Sequence, residues 1–251
     1  SLLDRTLASI QHQSLAPDVV YLWLPRERFA EEVGDYRFSG VDVRIGADLG
    51  PAMKLLPVLD IESDPETLII TIDDDVEYPP GLIERLVTAS RQHPDQAIGF
   101  TGWVFDPQTS ATSIVHLNAS TPGSTQLQAV HVLEGYRGVL YRRRFFERDI
   151  WDHQEALSEF RFHDDILLSG YLGSRGIGRL VRWYGADPQE EPYHWQLNGE
   201  HIGLHTTVGW LERGKSCVEY WLRRDAGVFG FVEPLGLSLV RTADRGAGDS
   251  D

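Results

Sequence analysis

The apolar positions of the first hundred residues follow two alternating periods, which predict helices and strands in turn. Leu3, Leu7 and Ile10 have the spacing of one helix face, and 18–25 (DVVYLWLP) is a continuous apolar run that predicts a buried strand. The alternation then continues as helix, strand, helix and strand over 26–33, 41–46, 50–62 and 67–72. We therefore predict an α/β fold with a mostly parallel central sheet and helices on both faces. The strands at 18–25, 41–46 and 67–72 are expected to be neighbours in that sheet.

Beyond the segment 97–105, the apolar pattern changes into short extended segments linked by Thr-, Ser- and Gly-rich turns. These segments predict a small antiparallel part. Helices are predicted at 80–92, at 163–175 and near 207–224. We expect one domain over 1–240, followed by a tail at 241–251 with the composition of a disordered segment.

Three consecutive aspartates, Asp73, Asp74 and Asp75, follow the apolar run 67–72. Strand side chains alternate, so Asp73 and Asp75 are expected to converge at the carboxyl end of the strand, where open α/β sheets bind ligands. Like charges this close raise one another's pKa unless a cation lies between them, and Mg²⁺ or Mn²⁺ commonly takes one or two carboxylates. Alternatively, these aspartates only cap the helix that follows the turn.

A second acidic pair, Asp164 and Asp165, lies at the start of the predicted helix 163–175. Ionised carboxylates are favoured at a helix N-terminus, and from there their side chains can face a cleft. One of them could act as a general base towards a hydroxyl group. The alternative is an ordinary N-cap pair.

Both acidic segments lie in stretches that resemble a known family. IITIDDDVEYPPGLIERLV resembles the Asp-x-Asp segment of GT-A glycosyltransferases, especially the inverting, family 2-like bacterial enzymes. LLDRTLASIQHQSLAPDVVYLWLP resembles the opening helix and second strand of that family, GPAMKLLPVL the helix before the motif, and HDDILLSGYL the later acidic motif. The resemblance runs from residue 1 to about 225, and the acidic motifs are its most specific parts.

The resemblance implies an enzyme that moves a sugar from a nucleotide-diphosphate donor, with a UDP-sugar favoured, to the hydroxyl of a carbohydrate or another acceptor. It implies Mn²⁺ or Mg²⁺ on the diphosphate, with Asp75 as principal ligand and Asp73 and Asp74 sharing the metal or contacting the ribose. Asp165 would be the base of an inverting reaction, with Asp164 as the second choice.

Further residues are weaker candidates by the same resemblance. Lys54 would contact the donor, and His205 would be a late metal ligand; a solvated lysine and a structural histidine are the alternatives. Trp103 could stack on an acceptor sugar or belong to the core. The arginines at 142–144 could bind a phosphate, but a surface cluster is the favoured interpretation. The family's first strand, part of the nucleotide-base pocket, is expected upstream of residue 1.

Charge and composition narrow the classes of partner. The 251 residues include 23 Lys and Arg against 38 Asp and Glu, a formal charge of -15, which disfavours nucleic acid as a partner. Cys217 is the only cysteine, so no intrachain disulfide can form. No apolar run approaches the length of a membrane-spanning helix. We expect a cytoplasmic protein and leave open whether it associates with a membrane surface.

Two other functions fit parts of the pattern. A haloacid-dehalogenase-type phosphatase would use Asp73 as nucleophile and Asp75 as acid/base, but two predicted strands and three helices precede the motif, which in that superfamily ends the first strand. A noncatalytic module of the same fold would only bind a nucleotide sugar or a carbohydrate. Such a module is distinguished from the enzyme by whether Asp165 faces the metal site across a cleft of sugar size.

Overall fold

The computed structural model describes residues 1–29, 38–105, 114–116, 127–182, 193–194 and 208–229. The α-helices in these ranges are α1 (Leu2–Gln11), α2 (Arg26–Phe29), α3 (Leu56–Ile61), α4 (Leu82–Gln92), α5 (Ile150–Ala156), α6 (Asp164–Ser174) and α7 (Trp210–Leu222). The strands are β1 (Tyr21–Pro25), β2 (Asp42–Gly46), β3 (Leu68–Thr71), β4 (Val76–Glu77), β5 (Gln96–Gly99), β6 (Gly102–Phe105), β7 (Ile114–His116), β8 (Leu127–Ala129), β9 (Val132–Leu133), β10 (Val139–Arg142), β11 (Gly178–Arg182) and β12 (Tyr193–His194). This order confirms the mixed α/β class.

The central sheet has five strands in the order β3, β10, β5, β11, β8. Because β10 is antiparallel to both β3 and β5, and β11 is parallel to β5, three strands share one direction. Strands β10 and β8 run in the opposite direction. The sheet is therefore mixed. Three of its strands run in the same direction, as expected for a mostly parallel sheet, but most of its neighbouring strands pair in the antiparallel sense.

The first two strands form a separate sheet. Strand β1 pairs in parallel with β2, as predicted, from Tyr21 opposite Asp42 to Pro25 opposite Gly46. Strand β3, however, takes β10 as its neighbour, so the prediction that all three early strands share one sheet is wrong. Another small sheet joins β6 to β7 and β9 in antiparallel pairs, which confirms the predicted antiparallel part.

Helices cover both faces of the central sheet, because successive strand side chains point to opposite faces. In β10, Val139 and Tyr141 pack into one apolar cluster with α3, α6 and α7. Leu140 between them packs into the other cluster, with α1 and α4. The prediction of helices on both faces is confirmed for this sheet. No helix in the described ranges is long and apolar enough to cross a membrane.

The predicted helix 50–62 is divided into a 3-10 turn, Gly50–Lys54, and the α-helix α3. Pro57, at the start of α3, has no backbone N–H, so it cannot continue the hydrogen-bonded ladder from the turn before it. Gly50 has a φ of +65°, and a Cβ there would lie 2.2 Å from the carbonyl oxygen of Arg161. The turn therefore packs closely against the segment before α6 and ends at Lys54.

A buried arginine of β11 anchors helix α6 through hydrogen bonds to backbone carbonyl groups. The Arg179 guanidinium donates to the carbonyl oxygens of Ser169 in α6 at 2.5 Å, Val228 at 3.3 Å and Val130 at 3.4 Å. Burial lowers the pKa of Arg179 to about 10. Because a buried cation needs its donors satisfied, this side chain ties α6 to the sheet and to the last described residues.

Candidate functional site

The two acidic segments meet at one lysine beyond the end of β3. The Lys54 ammonium lies 2.7 Å from Oδ1 of Asp73 and 3.0 Å from Oδ2 of Asp164. Its side chain is only 17 % exposed. Burial alone would lower the pKa of Lys54, but Asp164, Asp73 and Asp165 outweigh burial and raise it well above its usual value. Lys54 is therefore charged and bridges segments that are distant in sequence.

The first acidic segment lies on a turn rather than on a strand. Strand β3 ends at Thr71, and Asp74 and Asp75 form the turn before β4. The argument that strand alternation brings Asp73 and Asp75 together is therefore wrong. Asp73 is partly buried by its contact with Lys54, whereas Asp74 and Asp75 are exposed.

A buried tyrosine fixes this turn. The Asp73 backbone N–H donates to the Tyr78 hydroxyl at 2.9 Å, and that hydroxyl donates to the Tyr136 carbonyl oxygen at 2.9 Å. Burial and the nearby Asp73 carboxylate raise the pKa of Tyr78 well above its usual value, so the hydroxyl keeps its proton. The Thr6 hydroxyl of α1 donates to the Asp74 carbonyl oxygen at 3.0 Å. The turn is therefore anchored to α1 and to the segment before β10.

The second acidic segment opens α6, as predicted from the sequence. Asp164 is buried, and Asp165 accepts a hydrogen bond from the Gly135 backbone N–H at 2.9 Å. Burial and the neighbouring Asp164 raise the pKa of Asp165 well above its usual range, although Lys54 partly opposes them. Asp165 is therefore a carboxyl whose proton affinity lies well above that of an exposed aspartate.

Gly135 leaves the space in which these groups meet. A Cβ at this position would lie 2.7 Å from the Lys54 nitrogen and 3.2 Å from Oδ1 of Asp165. The first distance is shorter than real Cβ contacts, so any larger residue would displace the lysine. The absence of a side chain at Gly135 thus leaves room for the Lys54 ammonium between the two acidic segments.

The chemistry of the donor set fits a hard divalent cation that arrives with a phosphate ligand. Carboxylate oxygens are the preferred ligands of Mg²⁺ and Mn²⁺, and one or two of them suffice when phosphate and water complete the shell. In the described residues, no three His, Cys, Asp or Glu side chains surround a common point. Asp75 is an exposed carboxylate on the turn, and Asp73 contacts Lys54. The chemistry of these carboxylates fits such an ion, with Asp75 as one ligand and phosphate and water completing the shell.

Trp103 and the arginines at 142–144, the other sequence candidates that the structure describes, make their contacts elsewhere. Trp103 is 4 % exposed and packs edge-on against Trp210 at 6.4 Å between ring centroids, so most of its surface is covered by protein. His205 lies outside the described residues. The three arginines at 142–144 bind Glu66, Asp95 and backbone carbonyls of neighbouring segments, which favours their interpretation as a structural cluster.

Two residues of the cluster were not singled out from the sequence. Tyr78 was visible only as part of the Tyr-Pro-Pro turn, and Gly135 only as one glycine in a turn-rich region. Their roles depend on contacts across 58 and 30 positions of sequence, which no local pattern reveals. Lys54, in contrast, was already a candidate from the sequence, in which Lys54 and Lys215 are the only two lysines.

Comparisons with known proteins add no family assignment. No model of a known protein family matches this chain, and no curated protein matches its sequence significantly. Functional inference therefore depends on the site itself and on the sequence resemblance described above.

Proposed function

We propose that this chain is a glycosyltransferase of the GT-A type, which moves a sugar from a nucleotide-diphosphate donor to an acceptor hydroxyl with inversion. A UDP-sugar is the favoured donor. The observation that carries the proposal is the meeting of the two acidic segments at Lys54, with Asp73 on one side and Asp164 on the other. A helix-capping role for each segment separately does not require this contact.

Asp165 is the proposed general base. A base that works near neutral pH benefits from a pKa raised towards that pH, and burial together with Asp164 shifts the pKa of Asp165 in this direction. The Gly135 N–H fixes the orientation of its carboxylate. Asp165 would remove the proton from the acceptor hydroxyl as that oxygen attacks the anomeric carbon opposite the leaving diphosphate. Asp164 holds Lys54 and is the second choice as base.

The first acidic segment is the proposed donor side. Asp75 would hold Mn²⁺ or Mg²⁺, with Asp73 beside it and His205 as a further ligand, while Asp74 contacts the ribose. When bound, the ion would supply Lewis-acid stabilisation to the negative charge on the leaving diphosphate. The aspartates of both segments repel a diphosphate on their own, and Lys54 supplies one positive charge against them. This imbalance supports a requirement for an added cation.

The proposal is tested by incubating the protein with a panel of nucleotide-diphosphate sugars, UDP-sugars first, and a panel of hydroxyl acceptors. Each reaction is run with Mn²⁺, with Mg²⁺ and with a chelator, and the anomeric configuration of the product is read by NMR. We expect metal-dependent transfer with inverted configuration.

Other outcomes of this assay identify the alternatives. Hydrolysis of phosphate monoesters that is lost in Asp73→Asn would identify a phosphatase with Asp73 as nucleophile. Metal-dependent nucleotide binding without turnover of any donor would identify a noncatalytic binding module. Transfer with retained configuration would refute the role assigned to Asp165.

A further inference from the structure

Lys54 is an unusual choice of cation for this chain. The sequence has 23 Lys and Arg in total, and only Lys54 and Lys215 are lysines. Lys215 is exposed on α7, whereas Lys54 is largely buried between carboxylates. A lysine carries a compact charge on a flexible stem, whereas an arginine presents a wide planar fork. The compact ammonium of Lys54 fits between Asp73 and Asp164, and its flexible stem would allow it to leave one carboxylate while it keeps the other.

The position of the Lys54 ammonium conflicts with a divalent ion on Asp73. The nitrogen lies 2.7 Å from Oδ1 of Asp73, which is hydrogen-bond distance. An ion that shared this carboxylate would lie within a few ångströms of the ammonium, where like charges repel strongly in a partly buried site. The second contact, with Asp164 at 3.0 Å, does not involve the first acidic segment and could persist.

We propose that Lys54 is an internal counterion of Asp73, from which a divalent cation displaces it while Lys54 keeps its contact with Asp164. This inference rests on the proposed function, since it concerns the cation of that same site. Before loading, Lys54 offsets the repulsion between the acidic segments. Loading then exchanges the ammonium for the cation at Asp73, so the affinity for the metal alone is reduced by the competition with Lys54.

The first test measures binding of Mn²⁺ alone, without nucleotide, by the EPR signal of the free ion. Lys54→Met removes the charge but keeps the length of the side chain, and Lys215→Met is the matched control on an exposed lysine. We expect Lys54→Met to bind Mn²⁺ about tenfold or more tightly than the unaltered protein, because one competing charge is gone. Lys215→Met should change the affinity less than about twofold, because exposed charges are screened.

The second test uses the unaltered protein, so it does not depend on whether Lys54→Met folds. An amine-acetylating reagent is applied in short pulses with and without saturating Mn²⁺, and the modification of each lysine is followed by mass spectrometry. Lys54 should react more slowly than Lys215 without metal. Addition of Mn²⁺ should raise the rate at Lys54 several-fold and leave the rate at Lys215 unchanged.

The proposal is overturned if Mn²⁺ binds equally to the unaltered protein and to Lys54→Met, or if neither binds it. Unchanged labelling of Lys54 at saturating Mn²⁺ overturns it as well. Neither measurement includes a sugar donor, so these results are separate from those of the transfer assay. If no sugar is transferred but Mn²⁺ clearly affects Lys54, the proposed glycosyltransferase activity is rejected and the counterion role of Lys54 is retained.

Discussion

The two acidic segments contain the same kind of side chain in opposite environments. Asp74 and Asp75 lie on an exposed turn, whereas Asp164 is buried and Asp165 accepts a backbone hydrogen bond at the start of α6. Carboxylates on an exposed turn can be reached by a cation from solvent. A buried carboxylate whose pKa is raised can exchange a proton instead. Under the proposed function, the exposed turn would bind the metal and the start of α6 would accept the proton.

At α6 two physical effects oppose each other, and burial wins. The N-terminal end of a helix favours a negative charge by about 0.3–1 kcal/mol. Taking a carboxylate out of water costs several kcal/mol even after the protein relaxes. The net result is the raised pKa of Asp165, to which Asp164 adds repulsion. The side chains of Asp74 and Asp75, in contrast, are exposed.

The largest expected effect comes from removing the proton acceptor of the buried segment. Asp165→Asn keeps the shape and an oxygen for the Gly135 N–H but loses basicity. Transfer should fall by roughly 10²- to 10⁴-fold, the usual contribution of a positioned general base, while donor binding is retained. The measurement is kcat for transfer together with donor affinity by calorimetry.

Asp164→Asn is the matched comparison, because it alters the same segment without touching the Gly135 contact. Full activity in Asp165→Asn with an inactive Asp164→Asn would move the base by one residue. Full activity in both variants would show that neither aspartate of this segment is the general base.

The exposed segment is tested by Asp75→Ala. If this turn holds the cation, the Mn²⁺-dependent part of nucleoside-diphosphate affinity should be lost while the fold is unchanged, because the main carboxylate ligand is missing. Calorimetry with UDP, with and without Mn²⁺, measures that difference. Asp74→Ala is the control on the same turn and should keep most of the metal dependence. An unaltered metal effect in Asp75→Ala would contradict the assignment.

The contact between the two segments can be broken at Gly135. Gly135→Ala places a Cβ against the Lys54 nitrogen, so we expect a loss of about 1–3 kcal/mol in the free energy of unfolding, as for other overpacked sites. Urea denaturation measures the change. Gly46→Ala is a suitable control, since its nearest new contact would be an ordinary 3.5 Å from Trp23. Equal stabilities of the two variants would show that Lys54 moves aside without cost.

The anchoring of the exposed turn is tested by Tyr78→Phe. The variant keeps the ring but removes the hydroxyl that links the Asp73 N–H to the Tyr136 carbonyl. We expect the free energy of unfolding to fall by about 1–2 kcal/mol, because a buried N–H loses its acceptor. Hydrogen exchange of the Asp73 amide should accelerate at the same time. Exchange as slow as in the unaltered protein would mean that the turn is fixed by other contacts.

The smallest expected effect is a change in the pH dependence of stability. The folded pKa of Asp165 is raised above its unfolded value of about 4, so between these values the folded protein binds more protons. Its free energy of unfolding therefore falls as the pH rises through this interval. Asp165→Asn removes this pH-dependent loss of stability. The variant should therefore have a higher melting temperature than the unaltered protein near neutral pH, and the difference in melting temperature should shrink towards pH 4. A difference in melting temperature that stays constant across the pH range would contradict the raised pKa of Asp165.

Sequence reasoning performed best where local patterns decide the structure. The apolar periodicity predicted α4 and α6 nearly to their ends, and it placed Asp164 and Asp165 at the start of a helix. Strand partners were predicted less well, since β10 pairs with β3 across about 70 positions and inserts between two strands of the opposite direction. The bridge by Lys54 was not predicted either, because it depends on three segments that meet only in the folded chain.

Arg179 limits where this chain could be shortened. Its guanidinium donates to the Val228 carbonyl oxygen, while another of its bonds reaches Ser169 in the helix that begins with Asp164. A truncation that removed Val228 would leave a buried cation short of an acceptor, directly behind that helix. Such a truncation would therefore destabilise α6 and, through α6, the acidic cluster, although it would remove no residue of the cluster.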